Sequence, residues 1–243
     1  MRKLMLLLIV ASLTTSCSSK KSPREEITNL DHPGLTAREA YKALEERLTQ
    51  ASTVLLKSQI RSTGAVDSDL AGEMVMESGN RVFFRFGGQF KSKSLTMKLL
   101  SDGRQVRGRG AKDTRGITPA ALNDAILIGC TRMGILHNLA MMAADQLPDR
   151  SDGDVRGWVQ TTNHHWGPQG QVRGQPARSI EFDVVVSGEN VGAAAVWLSK
   201  RTGLPLKRTQ EVRFENQTMK VVERYLRFDV NIDLPPGLFQ IKG

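Results

Sequence analysis

The hydrophobic and polar positions change period twice along the chain. Ala40, Tyr41, Leu44, Leu48 and Ala51 fall at helical spacing. Thr36-Ala37-Arg38-Glu39 reads as a capping box ahead of them, so an amphipathic helix is predicted over 37–51. Period two then takes over. Val54, Leu56, Ser58 and Ile60 share one face, and Leu70, Gly72, Met74 and Met76 alternate with Ala71, Glu73, Val75 and Glu77. Val82, Phe84 and Phe86 alternate with Arg81, Phe83 and Arg85, after the hairpin signal Ser78-Gly79-Asn80. Residues 95–100 lead through Ser101-Asp102-Gly103-Arg104 to Gln105-Val106-Arg107. The prediction is an antiparallel meander of about five strands with one apolar face.

The pattern breaks at Ile117-Thr118-Pro119, where Thr118 as N-cap and Pro119 as first helical residue predict a helix start. Residues 121–146 are apolar and Met-rich. Gly129 and Gly134 are expected to divide them into two helices that stop before Leu147-Pro148-Asp149. Strand signals return after Asp154. Val155, Gly157 and Val159 run to a break over 163–167, and Ile180, Phe182, Val184 and Val186 end at Ser187-Gly188. Ala194, Val196 and Leu198 precede a turn over 200–206, and segments 208–214 and 219–228 face each other across Glu215-Asn216. Strands, a helical insertion at about 118–147, and strands again make an α+β layout. About ten or eleven antiparallel strands exceed what a flat sheet carries. A strongly curved, unclosed barrel is expected, with helices over its concave face and any space left between them forming a lipophilic cavity.

The first residues obey neither period. Arg2 and Lys3 precede an apolar run over 4–11, too short for a bilayer, which takes about 20 residues. Residues 1–16 read as a signal peptide. Cys17 follows Thr14-Thr15-Ser16, which resembles the lipobox of bacterial lipoproteins, where the Cys is acylated. Thr14 stands where that pattern usually has Leu, and an ordinary cleaved signal with an incidental Cys is the other reading. Residues 17–34 then form the lipidated Cys and a polar tether, and the domain occupies 35–243. Ser18 after the Cys, rather than Asp, is similar to signals for the outer membrane.

Composition narrows the classes. The chain has 243 residues, 40% hydrophobic and only 5% aromatic, with 22 Gly, which excludes a wholly disordered chain and a polytopic membrane protein. Two Cys cannot build a disulfide scaffold. The net charge of +9 falls to +7 when Arg2 and Lys3 leave with the signal. Export and the lack of an aromatic-plus-basic platform argue against nucleic acid. Beside an anionic membrane, each nearby Lys or Arg assists an anchor by about 1 kcal/mol.

Four motifs then resemble the LolA/LolB-like superfamily of bacterial envelope lipoproteins and lipoprotein or lipid carriers. They are the N-terminal helix leading into Gly72-Glu73-Met74-Val75-Met76-Glu77 and Arg81–Phe86; Leu100-Ser101-Asp102-Gly103; Val196-Trp197-Leu198-Ser199-Lys200-Arg201-Thr202-Gly203-Leu204-Pro205-Leu206; and Phe228, Asn231, Leu234-Pro235 and Phe239. The resemblance spans about 35–240. It implies an unclosed barrel with a cavity for acyl chains and a role as carrier or anchored acceptor.

Adaptable thioethers and core-facing apolar residues give the cavity candidates Met74, Met76, Phe84, Phe86, Met97, Met133, Leu136, Met141, Phe182 and Val184, for which plain core packing is the alternative. Between the third and fourth strands, Phe90, Lys91 and Lys93 suit a membrane-touching tip, unless Phe90 folds back into the core.

Catalytic chemistry is not expected. His164 and His165 are adjacent and would face opposite ways on a strand, and His32 and His137 are remote from them, so no metal site is predicted. Cys130 reads as a buried small hydrophobe, with His137 some two helical turns away. Gly108-Arg109-Gly110 reads as a basic loop. The reading is a monomeric, non-enzymatic lipoprotein without cofactor in the bacterial envelope, outer membrane, facing the periplasm. It binds lipid or an acylated lipoprotein. The alternative is an interaction lipoprotein with a filled core.

Overall fold

The computed structural model describes residues 30–109, 113–143, 155–214 and 217–241. The predicted signal, Cys17 and the tether as far as residue 29 lie outside the described residues. So do the expected helix stop at Leu147-Pro148-Asp149 and the turn at Glu215-Asn216.

The described residues form eleven strands of one antiparallel sheet. The first six are β1 (Thr53–Gly64), β2 (Ser68–Glu77), β3 (Arg81–Phe90), β4 (Lys93–Asp102), β5 (Gln105–Arg109) and β6 (Asp113–Ile117). The other five are β7 (Val159–Val172), β8 (Gln175–Val186), β9 (Glu189–Ser199), β10 (Pro205–Phe214) and β11 (Gln217–Val230). Each set is a meander, and pairing of β1 with β11 joins them. β6 and β7 are the two edges of the sheet, so the barrel is unclosed. Helix α1 (Ala37–Thr49) precedes the sheet. Helices α2 (Leu122–Ile128), α3 (Ile135–Ala143) and α4 (Val155–Trp158), with a π-helical turn over Gly129–Met133, lie between β6 and β7 in the chain. The insertion thus leaves one edge and returns at the other.

Alternation decides which side is covered. Leu56 and Ile60 of β1, Phe84 and Phe86 of β3, Met97 and Leu99 of β4, Phe182 and Val184 of β8, and Leu198 of β9 meet one cluster of helical side chains. Tyr41, Leu44 and Leu48 of α1, Ile126 of α2, and Ile135 and Leu139 at α3 complete it. Burying each such side chain contributes roughly 1.5–3 kcal/mol. The capping box at α1 forms as expected: Glu39 N donates to Thr36 Oγ1 at 3.2 Å, and Thr36 N donates to Glu39 Oε2 at 2.9 Å.

Several expectations need correction. Thr118 does not cap a helix: its hydroxyl shares a hydrogen bond with Ser101 Oγ at 2.8 Å and its N–H donates to Arg104 O, so α2 starts only at Leu122. Gly129 does not divide the helices, since its φ of −55° keeps the chain helical into the π turn. Gly108 and Arg109 belong to β5 rather than to a loop, and β6 is a sixth strand. Val155–Trp158 is a helical turn, not a strand. The chain does not leave the sheet over 163–167; β7 runs through it with two register shifts, and Asn163 takes a positive φ.

The break at Gly134 carries the plug. Its φ of 87° favours glycine, and a Cβ there would lie 2.7 Å from Glu223 Oε1. Two helix ends meet at this point, each with unpaired backbone groups. Arg208, 2% exposed, takes the carbonyl end: Nη1 donates to Thr131 O and Nη2 to Arg132 O, each at 2.7 Å. Glu223, 0% exposed, takes the amide end: Leu136 N donates to Oε1 at 3.1 Å, and Tyr225 Oη donates to Oε2 at 2.8 Å. Arg208 and Glu223 are register partners on β10 and β11. A second tie joins three elements. Arg132 grips Glu45 of α1 with two hydrogen bonds, at 2.7 and 2.9 Å, and donates to Val159 O of β7 at 2.6 Å.

Gly134→Ala is expected to cost about 1–3 kcal/mol through backbone strain, and Arg208→Met about 1–3 kcal/mol or more by leaving the carbonyls of Thr131 and Arg132 without their donor. Urea unfolding should register both as lowered midpoints at unchanged slope. An unchanged midpoint for either would remove the clamp from the account.

Candidate functional site

The turns β1–β2, β3–β4, β8–β9 and β10–β11 all fall at one end of the sheet, since antiparallel neighbours reverse there. At this end the inward face is not filled. A cavity of about 550 Å³ lies between α3 and the strand ends, within the range of small-molecule sites. Its sheet wall is Val66, Phe90, Val186, Val191, Val212, Met219 and Val221; Met133, Leu136, His137, Ala140 and Trp158 close the helical side. All lining residues are apolar except Lys91, His137, Gln210 and Arg213, and no carboxylate is among them.

Local sequence explains the geometry. Lys91 and Ser92, with φ of 48° and 60°, form a two-residue turn between β3 and β4, and such turns take positive φ at both positions. The turn leaves Lys91 exposed at the rim and holds Phe90 half-buried in the wall. Gln210 ties the cavity to the clamp, because its Oε1 accepts from Arg208 Nε at 3.0 Å and Nη2 at 2.8 Å. His137 packs its ring against Trp158, 4.9 Å between centroids. Its Nε2 is enclosed without a hydrogen-bond partner among the described residues. Burial therefore lowers its pKa to about 4, so the ring is neutral at pH 7.

The sequence-named candidates separate into three groups. Met133 and Leu136 line the cavity, and so do Phe90 and Lys91, named there for a different role. Met74, Met76, Phe84, Phe86, Met97, Phe182 and Val184 are buried in the core cluster away from it, none more than 2% exposed. Met141 is half-buried on α3 and does not line the cavity; Lys93 is exposed at the start of β4. Sequence reasoning missed Val186, Val191, Met219, Trp158, His137 and Arg213. The available signal was an apolar alternation carried to the very ends of strands, as in Val186 before Ser187-Gly188 and Val191 just after it.

The other chemistry-bearing side chains are held apart. The Cys130 thiol accepts from Asn138 Nδ2 at 3.2 Å, and burial pushes its pKa up. His164 packs between Tyr41 and Phe182, while His165 is exposed beside Glu181 at 3.1 Å, so the two histidines do face opposite ways. No group of three His, Cys, Asp or Glu side chains among the described residues is placed to hold a metal ion. A second groove, about 990 Å³, runs beside the C-terminal segment at the opposite end of β2 and β3 and includes Glu77, Arg81, Asp102 and Asp233. No described helix is long and apolar enough to cross a membrane.

No protein-family model matches the chain, and no curated protein matches its sequence. Among solved structures it is similar to the lipoprotein LppX of Mycobacterium tuberculosis, at 9% identity over 82% of this chain and 97% of that one, with a TM-score of 0.43. It is similar to a LolA superfamily protein of Nitrosomonas europaea, at 10% identity over 85% and 98%, with a TM-score of 0.34. It is also similar to MucB of Pseudomonas aeruginosa in its complex with MucA, at 16% identity, 85% of this chain, 61% of that chain and a TM-score of 0.42.

The pKa of His137 sets a pH dependence. Its folded value lies below the unfolded one, near 6.5, so its contribution is complete above that value and is lost as pH falls through about 4. Between pH 7.5 and pH 5 the loss should be about 2 kcal/mol. Burial lowers His164 too and acts in the same direction. Thermal melts across this range should show the acid-side loss in the parent protein and a shallower one in His137→Leu. Equal slopes would mean that His137 is not enclosed.

Proposed function

We propose that this protein is an envelope lipoprotein that holds the acyl part of a lipid, or of an acylated lipoprotein, in the 550 Å³ cavity, as carrier or acceptor. One observation carries the reading: a sheet whose concave face is packed along most of its length keeps a large apolar space at the end that bears the β1–β2, β3–β4, β8–β9 and β10–β11 turns. Transfer of an acyl chain into such a space removes apolar surface from water at roughly 25 cal/mol per Å². Met133 and Met219 add unbranched thioethers, which repack around chains of different shape.

The anchor belongs to the same proposal. An acylated Cys17 behind a polar tether would hold the domain at a membrane, and the proposed location is the periplasmic face of the outer membrane. A basic surface beside the anchor adds attraction to anionic lipid. Lys91 and Lys93 are exposed at the β3–β4 turn beside the cavity and suit that contact. Phe90 serves in the wall rather than as a free probe of the interface.

Delipidated protein should take up N-phenylnaphthylamine with a rise in fluorescence, and Val191→Trp, which fills the space, should weaken uptake about tenfold or more, roughly 1.4 kcal/mol. No uptake, together with no lipid released from the purified protein in mass spectrometry, would leave an interaction lipoprotein with a filled core as the better reading. Cys17→Ser should move the protein from the membrane fraction to the soluble fraction.

A further inference from the structure

The cavity has a polarity that runs from wall to rim. Its enclosed surface is apolar apart from Gln210 and the neutral His137, while the two cations that line it, Lys91 and Arg213, are exposed and come from different hairpins. Arg213 is held in place, since its Nη2 donates to Asn190 O at 2.9 Å, which leaves its other N–H groups to a ligand. Three acids near these cations, Asp67 and Asp69 beside the β3–β4 turn and Glu211 two residues before Arg213, are engaged elsewhere. Asp67 Oδ1 accepts from Gly64 N at 3.2 Å, Asp69 pairs with Arg61 at 3.0 Å, and Glu211 pairs with Lys220 at 3.5 Å.

We infer that the ligand is an anionic amphiphile, with an acyl tail in the cavity and its carboxylate or phosphate head at the rim that Lys91 and Arg213 make basic. This rests on the lipid-holding reading above and makes it narrower. A neutral head, such as the glyceride of an acylated lipoprotein, would leave both cations without a counter-charge. A zwitterionic head would bring a third cation to a rim that already holds two. A carboxylate or phosphate meets the guanidinium as a planar fork and the ammonium as a point charge. The contact is at the rim, so it is partly screened and should weaken with salt.

Displacement of N-phenylnaphthylamine, a neutral probe, by palmitate, hexadecanol and hexadecyl phosphate tests this. Palmitate or the phosphate should displace the dye about tenfold more effectively than the alcohol at low salt, and that advantage should shrink in high salt. Lys91→Gln with Arg213→Gln should remove the advantage, read as the ratio of acid to alcohol within the variant so that a general change in dye affinity cancels. Both positions are exposed, so the double variant keeps the core. Preference for the phosphate over palmitate would support the inference and name the head group. Equal displacement by acid and alcohol in the parent protein, or an advantage that survives the double substitution, would overturn the head-group assignment and leave the cavity reading intact. Failure of the parent protein to bind dye or any of the three compounds would instead overturn the cavity reading itself.

Discussion

Where the inserted helices break at Gly134, two helix ends face the interior of the sheet, and their backbone groups need partners there. Arg208 and Glu223 meet that need from adjacent strands, the guanidinium on the carbonyls of Thr131 and Arg132 and the carboxylate on the amide of Leu136. Each charge sits at the helix end whose partial charge it complements. Burial raises the pKa of Glu223, and Arg208 and the hydroxyl of Tyr225 oppose that rise. The arrangement is costly to assemble and costly to break, which suits a device that fixes position rather than one that merely adds stability. Everything the helices cover depends on where this clamp puts them.

The cavity follows from that placement. The clamp holds the break in the insertion against β10 and β11, and Gln210, two residues from Arg208, links it to the cavity wall. Beyond the clamp, α3 lies across the strand ends and covers them without filling the space beneath. Core packing and the cavity are thus two outcomes of one alternating pattern. Phe84 and Phe182 meet α1 and α2 and are sealed, whereas Val186 and Val221 lie past the end of that cover and face open volume.

The sheet was largely legible because its strands alternate cleanly. Val82, Phe84 and Phe86 against Arg81, Phe83 and Arg85 leave little choice of face, and Ser187-Gly188 leaves little choice of turn. Errors arose where a local signal had a stronger tertiary competitor. Thr118-Pro119 has the chemistry of a helix start, but the buried hydroxyl of Ser101, seventeen residues away, takes the Thr118 side chain. Asn163 to Gly167 looks like a turn, yet β7 absorbs it with bulges because β8 supplies a continuous partner. The cavity was harder to locate. Methionine content points to adaptable packing but not to its position, and Met74, Met76 and Met97 went to the core. Arg208 and Glu223 looked like ordinary strand charges, since nothing in one sequence marks that their partners are helix ends.

The open seam between β6 and β7 has a mechanical meaning. In a closed barrel, strand number and shear fix the radius, and widening the lumen requires breaking a ladder of hydrogen bonds. Here the wall is a horseshoe whose two tips are tied through the helices instead of through each other. Its girth is set by side-chain packing along the insertion, a softer constraint than a backbone ladder. The sheet can spread or narrow by small strand rotations while every rung from β6 round to β7 stays intact. Under the proposed function, such rotations would let one continuous ladder meet acyl groups of different thickness, with the gap taking up the change.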